Sequence, residues 1–117
     1  MLYFVATPIG NLKEITYRAV EILSSSDYIY AEDTRHSLIL LNEYGIKAPL
    51  ISYQKFNEKS RCAEIIEKLG KGKTISVISD AGMPLISDPG SVLAKELAEK
   101  GLEFSVVSGP CAAINAL

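Results

Sequence analysis

Four segments of this chain gather side chains able to do chemistry. The longest is Ser79-Asp80-Ala81-Gly82-Met83-Pro84-Leu85-Ile86-Ser87-Asp88-Pro89-Gly90, which follows the β-branched, apolar run Thr74 to Ile78. Two acids, two glycines and two prolines fall within residues 80–90, far more than an ordinary turn requires. Small residues there let a ligand touch backbone at the carboxyl end of a buried strand. Asp88-Pro89 also reads as plain helix punctuation, Asp as N-cap and Pro at the first helical position. Asp80 and Met83 lie too far upstream for capping to explain them.

The second segment is Glu32-Asp33-Thr34-Arg35-His36-Ser37, six consecutive polar residues behind the run Tyr28 to Ala31. It offers a carboxylate, a hydroxyl, a phosphate-seeking guanidinium and an imidazole at one rim. Asp33 or Thr34 serves equally well as a helix cap, and Glu32 and Arg35 as a surface ion pair. The third, Thr7-Pro8-Ile9-Gly10-Asn11-Leu12, is neither a phosphate-binding Gly-Lys-Ser/Thr loop nor a GxGxxG turn. Gly10 permits close backbone approach and Asn11 stabilises its own turn. The fourth, Val107-Ser108-Gly109-Pro110-Cys111-Ala112-Ala113, has small side chains that suit either a ligand at a helix start or tight helix–sheet packing. Cys111 has no histidine in its segment to activate it and reads as a small buried thiol.

The elements that position these segments alternate in period. Leu2 to Ala6, Tyr28 to Ala31, Leu50 to Tyr53, Thr74 to Ile78 and Phe104 to Val107 are short apolar runs of strand type. Between them, Ile15, Ala19, Ile22 and Leu23 share one helical face, and Leu38 to Tyr44 forms a helix that Gly45 ends in a left-handed cap. Cys62, Ile65, Ile66 and Leu69 mark a third helix stopped by Gly70 and Gly72, and Leu93, Leu97 and Ala98 a fourth closed by Gly101. Five strands alternating with helices predict an α/β fold, a mainly parallel five-stranded sheet with helices on both faces. Gly109 to Leu117 reads as two turns of a helix that should continue, so the chain is expected to be cut from a larger protein.

Composition narrows the function classes. The 117 residues suffice for one domain, and 48% hydrophobic content supplies a core. A net charge of −2 gives no global footprint for nucleic acid, leaving room only for a local basic patch. One histidine, His36, and two cysteines, Cys62 and Cys111, exclude a multi-histidine metal site and a disulfide framework; no metal ligand set is expected. The start lacks the basic flank of a signal peptide, and no run reaches the roughly 18 apolar residues of a membrane span. A cytoplasmic domain without membrane contact is the expectation.

Together, Val5-Ala6-Thr7-Pro8-Ile9-Gly10-Asn11-Leu12, Ala31-Glu32-Asp33-Thr34-Arg35, the 79–90 segment and Ser108-Gly109-Pro110 resemble the tetrapyrrole methylase family, over essentially the whole chain. The Glu-Asp-Thr-Arg and Asp-Ala-Gly-Met-Pro strings are the specific part. The resemblance implies a two-domain α/β enzyme with S-adenosylmethionine held between the domains, residues 1–117 being the N-terminal domain. It places Ile9 and Gly10, Asp80, Ala81, Gly82 and Met83, and Cys111 and Ala112 at the methyl donor. Pro8 and Asn11 stand where relatives carry a glycine and an aspartate, which suits an RNA-modifying branch over a porphyrinoid substrate.

The implied reaction is methylation of a cytidine ribose 2′-oxygen in small-subunit ribosomal RNA, in the assembled subunit, by a homodimer. Glu32, Asp33 and Arg35 are then the acceptor-side candidates, with His36 a further proton acceptor, unless a second domain supplies the base. Arg35 suits a phosphate better than a proton. Two other readings stay open: the same fold acting on a porphyrinoid or other small molecule, and a non-catalytic nucleotide-binding module.

Overall fold

The β-branched and aromatic runs form strands because flat, half-rigid side chains pack well on a pleated surface. In a computed structural model, which describes residues 1–6, 15–79 and 88–107, they are β1 (Leu2–Ala6), β2 (Tyr28–Ala31), β3 (Leu50–Ser52), β4 (Ile75–Ser79) and β5 (Phe104–Val107). The helices between them are α1 (Tyr17–Ser25), α2 (Thr34–Glu43), α3 (Glu58–Gly70) and α4 (Asp88–Glu99), and a 3₁₀ turn, Lys55–Asn57, precedes α3. All the pairings are parallel, in the order β3-β2-β4-β1-β5.

That order dictates the layers. From β1 the chain moves past β4 to β2 and on to β3, then returns through β4 to β5. Right-handed crossovers put helices on one face for outward moves and on the other for return moves. Accordingly Ala19, Ile22 and Leu23 of α1 and Leu40 and Leu41 of α2 pack with Val5, Ile29, Ala31 and Ile78. On the opposite face, Cys62 and Ile65 of α3 and Leu93 and Leu97 of α4 pack with Leu2, Phe4, Tyr30, Ile75 and Val77. Buried Ser76 on β4 meets Ser26 at the end of α1, their hydroxyl oxygens 2.5 Å apart, and Ser26 also donates to the Ile22 carbonyl at 2.8 Å.

Gly45 does what its position after the helix predicts. It has φ +68°, its N–H donates to the Asn42 carbonyl at 3.2 Å, and Ile46 N–H reaches back to Leu41 at 2.8 Å. This Schellman arrangement satisfies the last carbonyls of α2. Four elements differ at their boundaries from the sequence expectation. The second helix starts at Thr34, four residues before Leu38, because Asp33 caps it and polar residues give no apolar period to follow. The fourth strand is shifted one residue on, to Ile75–Ser79, and β3 ends at Ser52 rather than Tyr53. The fourth helix takes in Asp88 as its first residue rather than its cap. Ala98 is exposed, whereas Leu93 and Leu97 are fully buried.

Candidate functional site

Parallel pairing brings every strand's carboxyl end to one edge of the sheet. The register aligns Ala6 with Ser79, Val5 with Val107, and Ala31 with Ile78 and Ser52. Neighbouring strands lie about 4.8 Å apart, so the ends of β4, β1 and β5 fall within about 10 Å of one another. The segments that begin at these three ends carry all the donor-site expectations. Ile9, Gly10, Asp80, Ala81, Gly82, Met83, Cys111 and Ala112 themselves lie outside the described residues.

The onward helix of β4 sits on the face opposite to those of both its neighbours, β2 and β1. Two adjacent strands whose connections leave on opposite faces open a crevice at their carboxyl ends, the usual ligand position in open α/β sheets. The end of β4, where the 80–87 segment begins, therefore has such a switch point on either side. A small organic ligand fits this architecture. Among the described residues, no group of three His, Cys, Asp or Glu side chains is placed to hold a metal ion.

The Glu32–Arg35 string opens at the end of β2, next to β4. Asp33 is the N-cap of α2, and its Oδ1 accepts from the backbone N–H groups of Arg35 and His36, each at 3.1 Å. Its carboxylate thereby satisfies two of the four donors a helix start leaves open. Arg35 is exposed in the first turn, and Glu32 is half-buried before the cap. The structure thus gathers Glu32, Asp33 and Arg35 at one rim, and gives Asp33 a structural task there.

A neighbouring group was not singled out from the sequence. Gln54, just past β3, donates through Nε2 to the Glu32 carbonyl at 2.7 Å, fastening the β3 exit to the β2 exit. Its own N–H donates to Asn57 Oδ1 at 2.7 Å, half of a capping box. Arg61 Nε donates to the Ser52 carbonyl at 2.8 Å, and Arg61 Nη1 lies 3.1 Å from Glu64 Oε2. The Gln54-x-x-Asn57 spacing is the one cue the sequence held.

Behind this rim, α3 is clamped to β2. The Tyr30 hydroxyl donates to Glu64 Oε1 at 2.5 Å, and Lys68 Nζ donates to the Tyr30 oxygen at 2.9 Å and to Glu64 Oε1 at 3.0 Å. The Lys68 ammonium also sits 3.7 Å from the centre of the Tyr28 ring, a cation–π contact. Burial pushes the Glu64 carboxyl up, but hydrogen bonds from Tyr30, Lys68 and Arg61 outweigh it and hold it below the usual carboxylate range. Burial, then the bond to Glu64, raises Tyr30 well above an ordinary phenol. Burial likewise raises Tyr53 and Cys62, whose hydroxyl and sulfur lie 3.4 Å apart. These tyrosines and the thiol therefore stay protonated at neutral pH.

The comparisons with known proteins agree with this architecture. A family model described as "Tetrapyrrole (Corrin/Porphyrin) Methylases" matches residues 1–117. The chain is 51% identical over 117 residues to "Ribosomal RNA small subunit methyltransferase I" of Haemophilus influenzae, covering 100% of this chain and 41% of that protein. It is 49% identical over 116 residues to the protein of the same name from Thermotoga maritima, covering 99% and 52%. The chain thus spans between 41% and 52% of the length of these two relatives. Among solved structures, a diphthine synthase superposes with TM-score 0.74 at 18% identity, covering 92% of this chain and 43% of that one. Uroporphyrin-III-C-methyltransferase from Thermus thermophilus gives 0.73 at 21% identity, covering 92% and 46%. Both establish the fold alone. With the family model matched from first residue to last, this chain belongs to the tetrapyrrole (corrin/porphyrin) methylase family.

Proposed function

We propose that the intact protein carrying this chain is an S-adenosylmethionine-dependent methyltransferase acting on a cytidine ribose 2′-oxygen of small-subunit ribosomal RNA. The observation that carries it is 51% identity, over all 117 residues, to a protein named for methylating that RNA. The crevices flanking β4 support a donor site at the same edge. Asp80, Ala81, Gly82 and Met83 would hold S-adenosylmethionine, together with Ile9 and Gly10 after β1 and Cys111 and Ala112 after β5. When bound, that group supplies a methyl on a sulfonium, whose leaving group needs no further activation.

The chain's own residues then have mainly to align and to dehydrate. Holding the acceptor ribose in reach of the crevice replaces a bimolecular encounter with a fixed one. The ribose hydroxyl sheds a proton, so a base belongs beside it. Glu32 is the carboxylate at this rim we assign to that proton, because Asp33 is committed to the start of α2. Arg35, exposed in the first turn of α2, suits a backbone phosphate of the RNA. The reading extends to a second domain that completes the donor and acceptor pockets, to a cytoplasmic homodimer, and to the assembled small subunit as substrate.

Incubating the intact protein with radiolabelled S-adenosylmethionine and under-methylated small ribosomal subunits tests it. Label is expected on a ribose of the small-subunit RNA, and Asp80→Ala is expected to abolish it. Label on a small molecule or a protein, with none on RNA, would reject the substrate and keep only the donor.

A further inference from the structure

The chain has three phenylalanines. Phe4 is fully buried and packs edge-on against Phe104, ring centres 5.4 Å apart. Phe56 is 82% exposed. It lies on the 3₁₀ turn at the exit of β3, on the same edge as Glu32 and Arg35. An exposed aromatic on a loose loop has little meaning, but this turn is held firmly. Asn57 N–H donates to the Gln54 carbonyl at 3.0 Å, and the Asn57 side chain accepts from Gln54 N–H at 2.7 Å. Gln54 in turn grips the Glu32 carbonyl, and Arg61 the Ser52 carbonyl. The flat ring is therefore displayed at a set place beside the acceptor rim.

Charge at this corner has a direction. Lys59, three residues beyond Phe56, and Arg35 are exposed. Of the acids here, Asp33 accepts from the α2 backbone, and Glu32 and Glu58 are half-buried, with Oε2 of Glu58 shielded from solvent. An open aromatic face with outward cations matches one kind of partner, an unpaired base with its flanking phosphates. Single-stranded RNA is bound in this way, by stacking on aromatic rings and by cations along the backbone. Protein interfaces are depleted of lysine, whereas Lys59 stands exposed three residues from the ring.

We infer that Phe56 is a stacking platform for an unpaired base next to the target nucleotide, with Lys59 and Arg35 at the adjoining phosphates. The inference rests on the RNA reading above and adds to it a residue that selects for a single-stranded target.

Steady-state methylation of under-methylated small subunits by the intact protein tests it. Phe56→Ala raises KM for the subunits about tenfold and leaves kcat within about twofold. Phe56→Trp returns KM to the wild-type value. The melting temperature of Phe56→Ala stays at that of the wild type, since the exposed ring carries little of the fold. An unchanged KM in Phe56→Ala overturns the platform while wild-type labelling of RNA keeps the RNA reading intact. A smaller molecular mass by light scattering for Phe56→Ala overturns it too, and assigns the ring to a protein contact. Absence of RNA labelling by the wild type removes both readings together.

Discussion

Asp33 shows how one residue can satisfy two expectations that only its hydrogen bonds separate. A carboxylate in a polar string behind a strand suits substrate chemistry and suits a helix cap, and residue type decides neither. Its two 3.1 Å bonds to the α2 backbone give it the cap. Asp33→Ala is therefore expected to lower stability by about 1 kcal/mol, and Asp33→Asn, which keeps an acceptor oxygen, to recover most of it. Urea unfolding of the three proteins checks this; an alanine variant as stable as the wild type would rule the cap out. Of the two carboxylates, Glu32, which does not cap the helix, is the one assigned to the proton in the proposed reaction.

At the scale of elements, α3 matters most to the rim, because it holds both the β3 exit and the β2 strand. Glu64 is its hinge point, bonded to Tyr30, Arg61 and Lys68. Its folded pKa is depressed, so the stability it contributes is fully present above the unfolded carboxylate value, about 4.3. That contribution fades as pH falls through the lower folded value, because the protonated carboxyl no longer draws the two cations. Glu64→Gln is expected to be less stable than the wild type at neutral pH, with the gap closing in acid. Urea midpoints from pH 7 down to about pH 3 measure it, and a gap constant across that range would contradict the assignment. Glu64 is partly exposed, so solvent screening keeps the effect modest.

For the molecule as a whole, the strand order decides where a ligand can sit. Because β4 is inserted between β2 and β1, the segments after β1, β4 and β5 start at one edge, with Glu32–Arg35 beside them. A ligand held by those segments stabilises the folded state by mass action. In the intact protein, S-adenosylmethionine at about 100 times its Kd should add about 2.7 kcal/mol, read as a raised melting temperature. Asp80→Ala should erase that rise without lowering the melting temperature of the ligand-free protein. A wild type whose melting temperature ignores the donor would refute the site.

The strands and helices were legible in the chain because their causes are local. Tyr28–Ala31 and Phe104–Val107 matched their apolar runs residue for residue, and Gly45 closed α2 through a backbone conformation that glycine adopts freely. The start of α2 was only half legible: Asp33 stood as one of two candidate caps, but Thr34 to Ser37 carry no apolar stripe to show that the helix begins there. Nor were Gln54 and Glu64, whose partners lie 22 and 34 residues away. Composition and period say which segments extend and which coil. The order of the strands, the two switch points beside β4 and the clamp on α3 come from hydrogen bonds and burial between distant segments, and these exist only once the sheet has closed its two faces.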